Sequence, residues 1–125
     1  MKNTAFIGIG SNREPEKNVG KAREILTARF PGIRFSEAVY TEPVGCRNPA
    51  LFLNQVALVH TDLSQAACSE LLKRTEREIG RQPEDKALER IPIDLDLLQW
   101  NTSVLKPDDL KRPDIARAMC YFLPR

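Results

Sequence analysis

The chain has 125 residues, 42% hydrophobic and 29% charged, with a formal net charge of +2 at pH 7. This composition suits one domain over residues 1–125, with neither a basic stripe for nucleic acid nor the ~20 apolar residues of a membrane span. Three widely spaced cysteines and a single histidine argue against a disulfide framework and a zinc site. We expect a cytoplasmic protein, monomeric or weakly dimeric, without nucleic-acid or membrane partners.

The first half of the chain alternates strand and helix. An apolar run over residues 4–9 predicts a strand, and the glycine-containing stretch 8–12 indicates a turn at its end. Apolar residues at helical spacing predict a helix over 18–30, which the Pro31-Gly32 pair ends. Residues 33–40 alternate imperfectly, as in a strand with a bulge, and the proline- and glycine-containing residues 41–49 predict a loop.

The second half repeats this alternation. A strand is predicted over residues 52–60, followed by a helix that Asp62 or Ser64 caps and Gly80 ends. Residues 81–90 are polar, without periodicity, and predict a mobile loop before a buried strand over 91–98. The order strand-helix-strand-strand-helix-strand predicts a ferredoxin-like α+β fold with a four-stranded antiparallel sheet. Residues 106–125 are expected to form a short C-terminal tail with a turn and a short helical piece.

Two carboxylates share one face of the last predicted strand. Asp94 and Asp96 are two residues apart, so they lie side by side, with Ile93, Leu95 and Leu97 on the opposite face. Paired carboxylates in a strand need a cation, which could be Arg, Lys or a metal, and a hard ion such as Mg²⁺ suits them. The alternative is an edge strand with a solvated polar face, which is common for Asp.

A ring and an amide share a face of the strand over residues 52–60. Phe52 and Asn54 together offer a flat surface, a donor and an acceptor, which suit a planar heterocycle with amide-like edges. The alternative is a buried aromatic residue beside a solvated asparagine.

Taken in order, these motifs resemble the 6-hydroxymethyl-7,8-dihydropterin pyrophosphokinase family of folate biosynthesis. The resemblance covers residues 7–12, 40–45 and 52–54, Glu76 with Gly80-Arg81, and residues 93–97. It implies a ferredoxin-like core and transfer of pyrophosphate from ATP to the hydroxymethyl group of a reduced pterin, with two Mg²⁺ ions and AMP as product. The chain resembles a short and divergent member.

The resemblance also implies roles for individual residues. Asp94 and Asp96 would hold both Mg²⁺ ions and form the catalytic group with Arg81 and Arg90. The pterin would contact Thr41, Glu42, Pro43, Val44, Phe52 and Asn54. ATP would contact Arg81, Arg90, Leu97, Arg112 and Arg117.

The chain departs from the family before the paired aspartates. The family segment there carries arginines and a tryptophan that close over ATP, whereas only Arg90 replaces an arginine in residues 86–92. The alternative function is therefore a non-catalytic or weakly active pterin-binding homologue. A third interpretation is a ferredoxin-like interaction domain without a ligand, in which an unpaired edge strand pairs between chains.

Overall fold

A computed structural model describes residues 2–43 and 45–122 and shows an α+β fold with an antiparallel sheet. The elements in chain order are β1 (Asn3–Ser11), α1 (Pro15–Arg29), β2 (Arg34–Phe35), β3 (Val39–Thr41), β4 (Phe52–Thr61), α2 (Gln65–Ile79), β5 (Asp94–Trp100), β6 (Ser103–Val104), α3 (Pro107–Leu110) and α4 (Pro113–Tyr121). The strand order is β2-β4-β1-β5-β6, and β3 also pairs with β4.

Among the described residues the sheet has six strands, so the prediction of four is wrong. One predicted strand is divided into β2 and β3, both paired with β4. Ser36 lies between them, and its hydroxyl accepts a hydrogen bond from the Val56 amide at 3.0 Å, which replaces a backbone acceptor of the ladder. The sixth strand, β6, follows a turn at Asn101, whose φ of 53° lets the chain fold back onto β5.

The long helix α1 begins at a proline, and α2 begins after a serine cap and ends at a glycine. Helix α1 starts three residues earlier than predicted, at Pro15, whose missing N–H costs nothing in the first turn. The Ser64 hydroxyl caps α2 by accepting from the Ala67 amide at 3.1 Å, and Gly80 ends this helix at a φ of 122°. Among the described residues, no helix is long and apolar enough to cross a membrane.

The sheet carries apolar residues on both faces. The larger core packs α1 and α2 against one face and contains Ile93, Leu95 and Leu97, as the alternation predicts. A smaller cluster covers the other face, where Ile115 of α4 meets Val56 and Leu98. The short helical piece predicted in the C-terminal tail is α4, and the predicted turn is the short helix α3. Apolar side chains of α4 pack this segment against the sheet, which the prediction of a tail did not include.

Candidate functional site

Three neighbouring strands build the floor of a cavity on the sheet face that α4 partly covers. In the sheet register, Gly10 of β1 lies between Asn54 of β4 and Asp94 of β5, and Gly8 lies opposite Asp96. A methyl group at Gly10 would lie 3.0 Å from the Asn54 Oδ1 atom, so glycine leaves space that other residues would fill. The two glycines thus separate an amide side from a carboxylate side.

The cavity has a volume of ≈ 470 Å³, within the range of small-molecule sites. Most of the residues predicted to bind the pterin and the metals line it, together with one arginine predicted to bind ATP. These residues are Thr41, Glu42, Pro43, Phe52, Asn54, Asp94, Asp96 and Arg112. Val44, also predicted to bind the pterin, lies outside the described residues.

The β4 side of the cavity is fixed by a hydrogen bond between neutral groups. The Asn54 Nδ2 atom donates to the Thr41 hydroxyl at 2.6 Å, which holds the amide in one orientation. Asn54 is buried and Phe52 is half-buried beside it in the cavity wall. The solvated-asparagine alternative does not fit this burial.

The β5 side is charged, and cations from α2 and the residue after its C-cap neutralise it. Arg81 Nη1 lies 2.9 Å from Asp94 Oδ1, and Lys73 Nζ lies 3.5 Å from Asp96 Oδ1. The prediction that the paired carboxylates need a cation is confirmed, and Arg and Lys are two of the three cations that it named. The edge-strand alternative is partly correct, since β5 pairs with β6 only at its last two residues.

Side chains of α2 also satisfy the unpaired edge of β5. The Leu95 amide donates to Glu76 Oε2 at 2.7 Å, and the Leu95 carbonyl accepts from Lys73 Nζ at 3.3 Å. Glu76 Oε2 also lies 3.2 Å from Arg81 Nη1 and 3.3 Å from Lys73 Nζ. These bonds protect an exposed strand edge and tie both aspartate partners to one buried carboxylate.

The charges in this network shift two pKa values. Burial raises the pKa of Asp96, the nearby Asp94 carboxylate raises it further, and Lys73 and Lys106 oppose the rise. Burial alone would lower the pKa of Arg81, but the hydrogen bond to Asp94 and the surrounding carboxylates raise it overall. The guanidinium therefore stays charged, while Asp96 holds its proton more tightly than an isolated aspartate does.

A second cavity of ≈ 380 Å³ lies between α2, β5 and the segment after β6. Lys73 and Lys106 line it, and so does Leu97, which was predicted to bind ATP. Asp96 lines both this cavity and the first one. Asp96 therefore borders both an acidic, aromatic cavity and a cavity lined by two lysines.

The remaining arginines predicted to bind ATP do not contact the paired aspartates in the way that Arg81 does. Arg90 lines neither cavity, and its Nε atom lies 3.2 Å from the carboxylate of buried Asp85. Arg112 lines the first cavity but also pairs with Asp114 at 3.0 Å. Arg117 is exposed on α4 and lines neither cavity.

The segment 81–90 is held by hydrogen bonds, against the expectation of a mobile loop. Asp85 accepts from the Gln82 amide at 2.7 Å and from Arg90, and these bonds lower the pKa of Asp85. The Glu89 carbonyl accepts from the side-chain amides of Asn12 and Asn48 at 2.8 and 2.9 Å. The polar residues of this segment therefore form turns that hydrogen bonds hold in place.

Sequence reasoning missed the roles of the two glycines and of Lys73. Gly8 and Gly10 lie within β1 and not in the turn that was predicted there. Their spacing of two residues on a strand is the signal that places them on one face. Lys73 carried no such signal, because its partner Asp96 is distant in sequence and the two meet only through the packing of α2 on β5.

The fold and cavity define an α+β protein with a ligand-sized, acidic site. A family model described as 7,8-dihydro-6-hydroxymethylpterin-pyrophosphokinase (HPPK) matches residues 6–123. A relative named 2-amino-4-hydroxy-6-hydroxymethyldihydropteridine pyrophosphokinase, from Bacillus subtilis (strain 168), is 29% identical over 116 residues, covering 90% of this chain and 69% of the relative. A protein of the same name from Campylobacter jejuni is 33% identical over 110 residues, covering 83% and 68%. The chain belongs to the HPPK family.

Proposed function

We propose that the protein transfers pyrophosphate from ATP to 6-hydroxymethyl-7,8-dihydropterin, giving AMP, as a step of folate biosynthesis. Family membership and the names of both relatives support a pyrophosphokinase. The comparisons give no support to the non-catalytic alternative. The proposal includes a single ferredoxin-like domain over residues 1–125, in the cytoplasm, as a monomer or weak dimer.

The observation that carries the proposal is the position of Asp96 in the lining of both cavities. Transfer between two substrates requires that both reach one point. The first cavity offers Phe52 for stacking and Asn54 for hydrogen bonds, which suit the pterin ring. The second offers Lys73 and Lys106, which suit the phosphates of ATP. The reacting hydroxyl and the phosphate chain would then meet beside the paired aspartates.

The donor set of the site fits Mg²⁺. Hard divalent cations prefer carboxylate oxygens and keep the rest of their shell for water and phosphate, and Asp94 and Asp96 supply such oxygens on one strand face. Among the described residues, no group of three or more His, Cys, Asp or Glu residues is arranged to hold a metal. We therefore propose that Asp94 and Asp96 hold two Mg²⁺ ions, whose remaining ligands would be water and the phosphates of ATP. Bound there, the ions would neutralise phosphate charge.

The chemistry requires positioning more than a covalent intermediate. The pterin hydroxymethyl oxygen would attack the β-phosphorus of ATP, forming one O–P bond. The bond from that phosphorus to the oxygen bridging the α-phosphate would break, AMP would leave with the electron pair, and the proton of the hydroxymethyl group would be released to water. Phe52, Asn54 and the Thr41–Pro43 segment would orient the hydroxyl, and Arg81 would contribute positive charge near the reacting phosphate. Arg90, Leu97, Arg112 and Arg117 remain proposed ATP contacts, with Leu97 and Arg112 supported by their places in the two cavities.

The test follows AMP and pterin pyrophosphate by chromatography, with ATP, Mg²⁺ and 6-hydroxymethyl-7,8-dihydropterin present. We expect AMP in equal amount to the pterin product, and none when the pterin is omitted. Release of ADP, or pterin binding without any AMP, would overturn the proposed reaction. The second result would establish the pterin-binding alternative.

A further inference from the structure

We propose that Lys73 is a displaceable counter-ion: its ammonium group competes with a divalent cation for Asp96 and, once displaced, contacts phosphate in the second cavity. This inference rests on the proposed function, because it assigns Asp96 to a metal. It concerns a step before catalysis, namely how the site exchanges its own cation for an incoming one.

The contacts of Lys73 make this exchange easy. Its Nζ atom lies 3.5 Å from Asp96 Oδ1 but closer, 3.3 Å, to both Glu76 Oε2 and the Leu95 carbonyl. Loss of the Asp96 contact therefore leaves two partners in place. The Lys73 side chain is 42% exposed, so it can also turn without disturbing a packed core.

Arg81 provides the contrast. Its guanidinium holds Asp94 at 2.9 Å while also contacting Glu76 and the Ile93 carbonyl at 3.2 Å, and its side chain is only 19% exposed. This arrangement fixes Arg81 beside Asp94. Of the two cations, Lys73 makes the longer contact and has the freer side chain, so it is the one that a divalent ion displaces at lower cost.

The second cavity offers the displaced ammonium group a place to bind phosphate. Lys73 and Lys106 line the second cavity, which Asp96 joins to the first. Glu76 does not depend on Lys73, because it keeps the Leu95 amide at 2.7 Å and Arg81 at 3.2 Å. Moving Lys73 toward a phosphate therefore leaves no buried carboxylate without a partner.

The test measures binding with no turnover. Mn²⁺ alone is titrated into the protein and the free ion is followed by electron paramagnetic resonance. In a second titration, ATP is added at saturating Mn²⁺, without the pterin, and its binding is followed by calorimetry. In Lys73→Met, Mn²⁺ should bind about two- to fivefold more tightly, the range that a partly exposed ion pair supports. ATP should bind more weakly by a similar factor, and Lys73→Arg should restore both parent affinities.

Arg74→Gln is the matched control, because it removes the same charge from the next position of α2. Arg74 is exposed and contacts Glu78 at 4.0 Å, so neither affinity should change beyond a small general effect. Unchanged or weaker Mn²⁺ binding in Lys73→Met would overturn the inference, and so would unchanged ATP binding. If Mn²⁺ fails to bind the parent protein, the proposed metal role of Asp94 and Asp96 falls, and this inference falls with it.

Discussion

The two sides of the first cavity satisfy their polar groups in different ways. On the β4 side, the neutral amide of Asn54 bonds to the neutral hydroxyl of Thr41 at 2.6 Å. On the β5 side, Asp94 and Asp96 are balanced by Arg81 and Lys73. The neutral side is set before any ligand arrives, whereas the charged side would exchange partners in the proposed reaction, when phosphate and metal enter.

This difference separates recognition from chemistry. A preoriented amide and ring select a ligand by shape and hydrogen bonding, because little rearrangement is required on binding. Crowded carboxylates with replaceable cations respond to charge, salt and pH. Substitutions on the β4 side should therefore change which ligand binds, and those on the β5 side should change turnover.

The largest effect is expected on the β5 side. Asp94→Ala or Asp96→Asn should lower AMP release at least about 10²-fold, the loss typical of removing one electrostatic contributor to the transition state. The melting temperature should hold or rise, because the carboxylate crowding is relieved. Asp62→Asn, an exposed change before α2, is the control and should leave the rate unchanged. Turnover at the parent rate in either variant would contradict the assignment of the aspartates.

A substitution at the boundary between the two sides should affect the pterin next. Gly10→Ala adds a methyl group 3.0 Å from Asn54 Oδ1, so the amide must shift from the orientation in which it would bind the pterin. Titration calorimetry with the pterin and a non-hydrolysable ATP analogue should show pterin affinity reduced about 5- to 150-fold, the equivalent of about 1–3 kcal/mol for a buried polar group left without its partner. In Gly20→Ala, the control, no atom lies within 4 Å of the new methyl group, and pterin affinity should not change. Unaltered affinity in Gly10→Ala would show that the pterin does not lie over β1.

A smaller effect is expected from the ring on the β4 side. Phe52→Ala should weaken pterin binding by about 2- to 13-fold beyond the lost area, equivalent to 0.5–1.5 kcal/mol of ring stacking, with ATP affinity unchanged. Phe52→Leu keeps an apolar side chain and is the matched variant. Parent-like pterin binding in Phe52→Leu would indicate that Phe52 acts as a packing residue and not as a stacking surface.

Much of this comparison could be predicted from local spacing. The two-residue intervals of Asp94 with Asp96 and of Phe52 with Asn54 place each pair on one strand face, and both pairs line the same cavity. The cap at Ser64 could also be predicted, because its hydroxyl accepts a hydrogen bond from an amide only three residues away. Such features depend only on the backbone of one element.

The remaining features depend on groups that are distant in the sequence. Ser36 divides a strand by bonding to Val56, and Lys73 meets Asp96 across α2 and β5. Asp85 lies in a polar, charged segment that suggested a mobile loop, yet its bonds to Gln82 and Arg90 close that segment. Composition cannot show which charged residue is solvated and which is bonded.

Asp96 and Asp85 extend the comparison to pH, because their pKa values move in opposite directions. Burial and Asp94 raise the pKa of Asp96 from 3.8, so the folded state binds its proton more tightly than the unfolded chain does. Hydrogen bonds from the Gln82 amide and Arg90 lower the pKa of Asp85 from the same value, against the effect of burial. The folded state therefore releases the Asp85 proton more readily than the unfolded chain does.

The expected pH dependence of stability follows from these directions and is the smallest effect. Asp85 should contribute stability above its unfolded pKa, which is lost as the pH falls from 3.8 through its lowered folded pKa. Asp96 should reduce stability as the pH rises from 3.8 through its raised folded pKa. Urea unfolding across this range should show a shallower acid loss in Asp85→Asn and a weaker decline above 3.8 in Asp96→Asn. Parallel pH curves for the parent and Asp96→Asn would mean that the aspartate pair is not crowded in the folded protein.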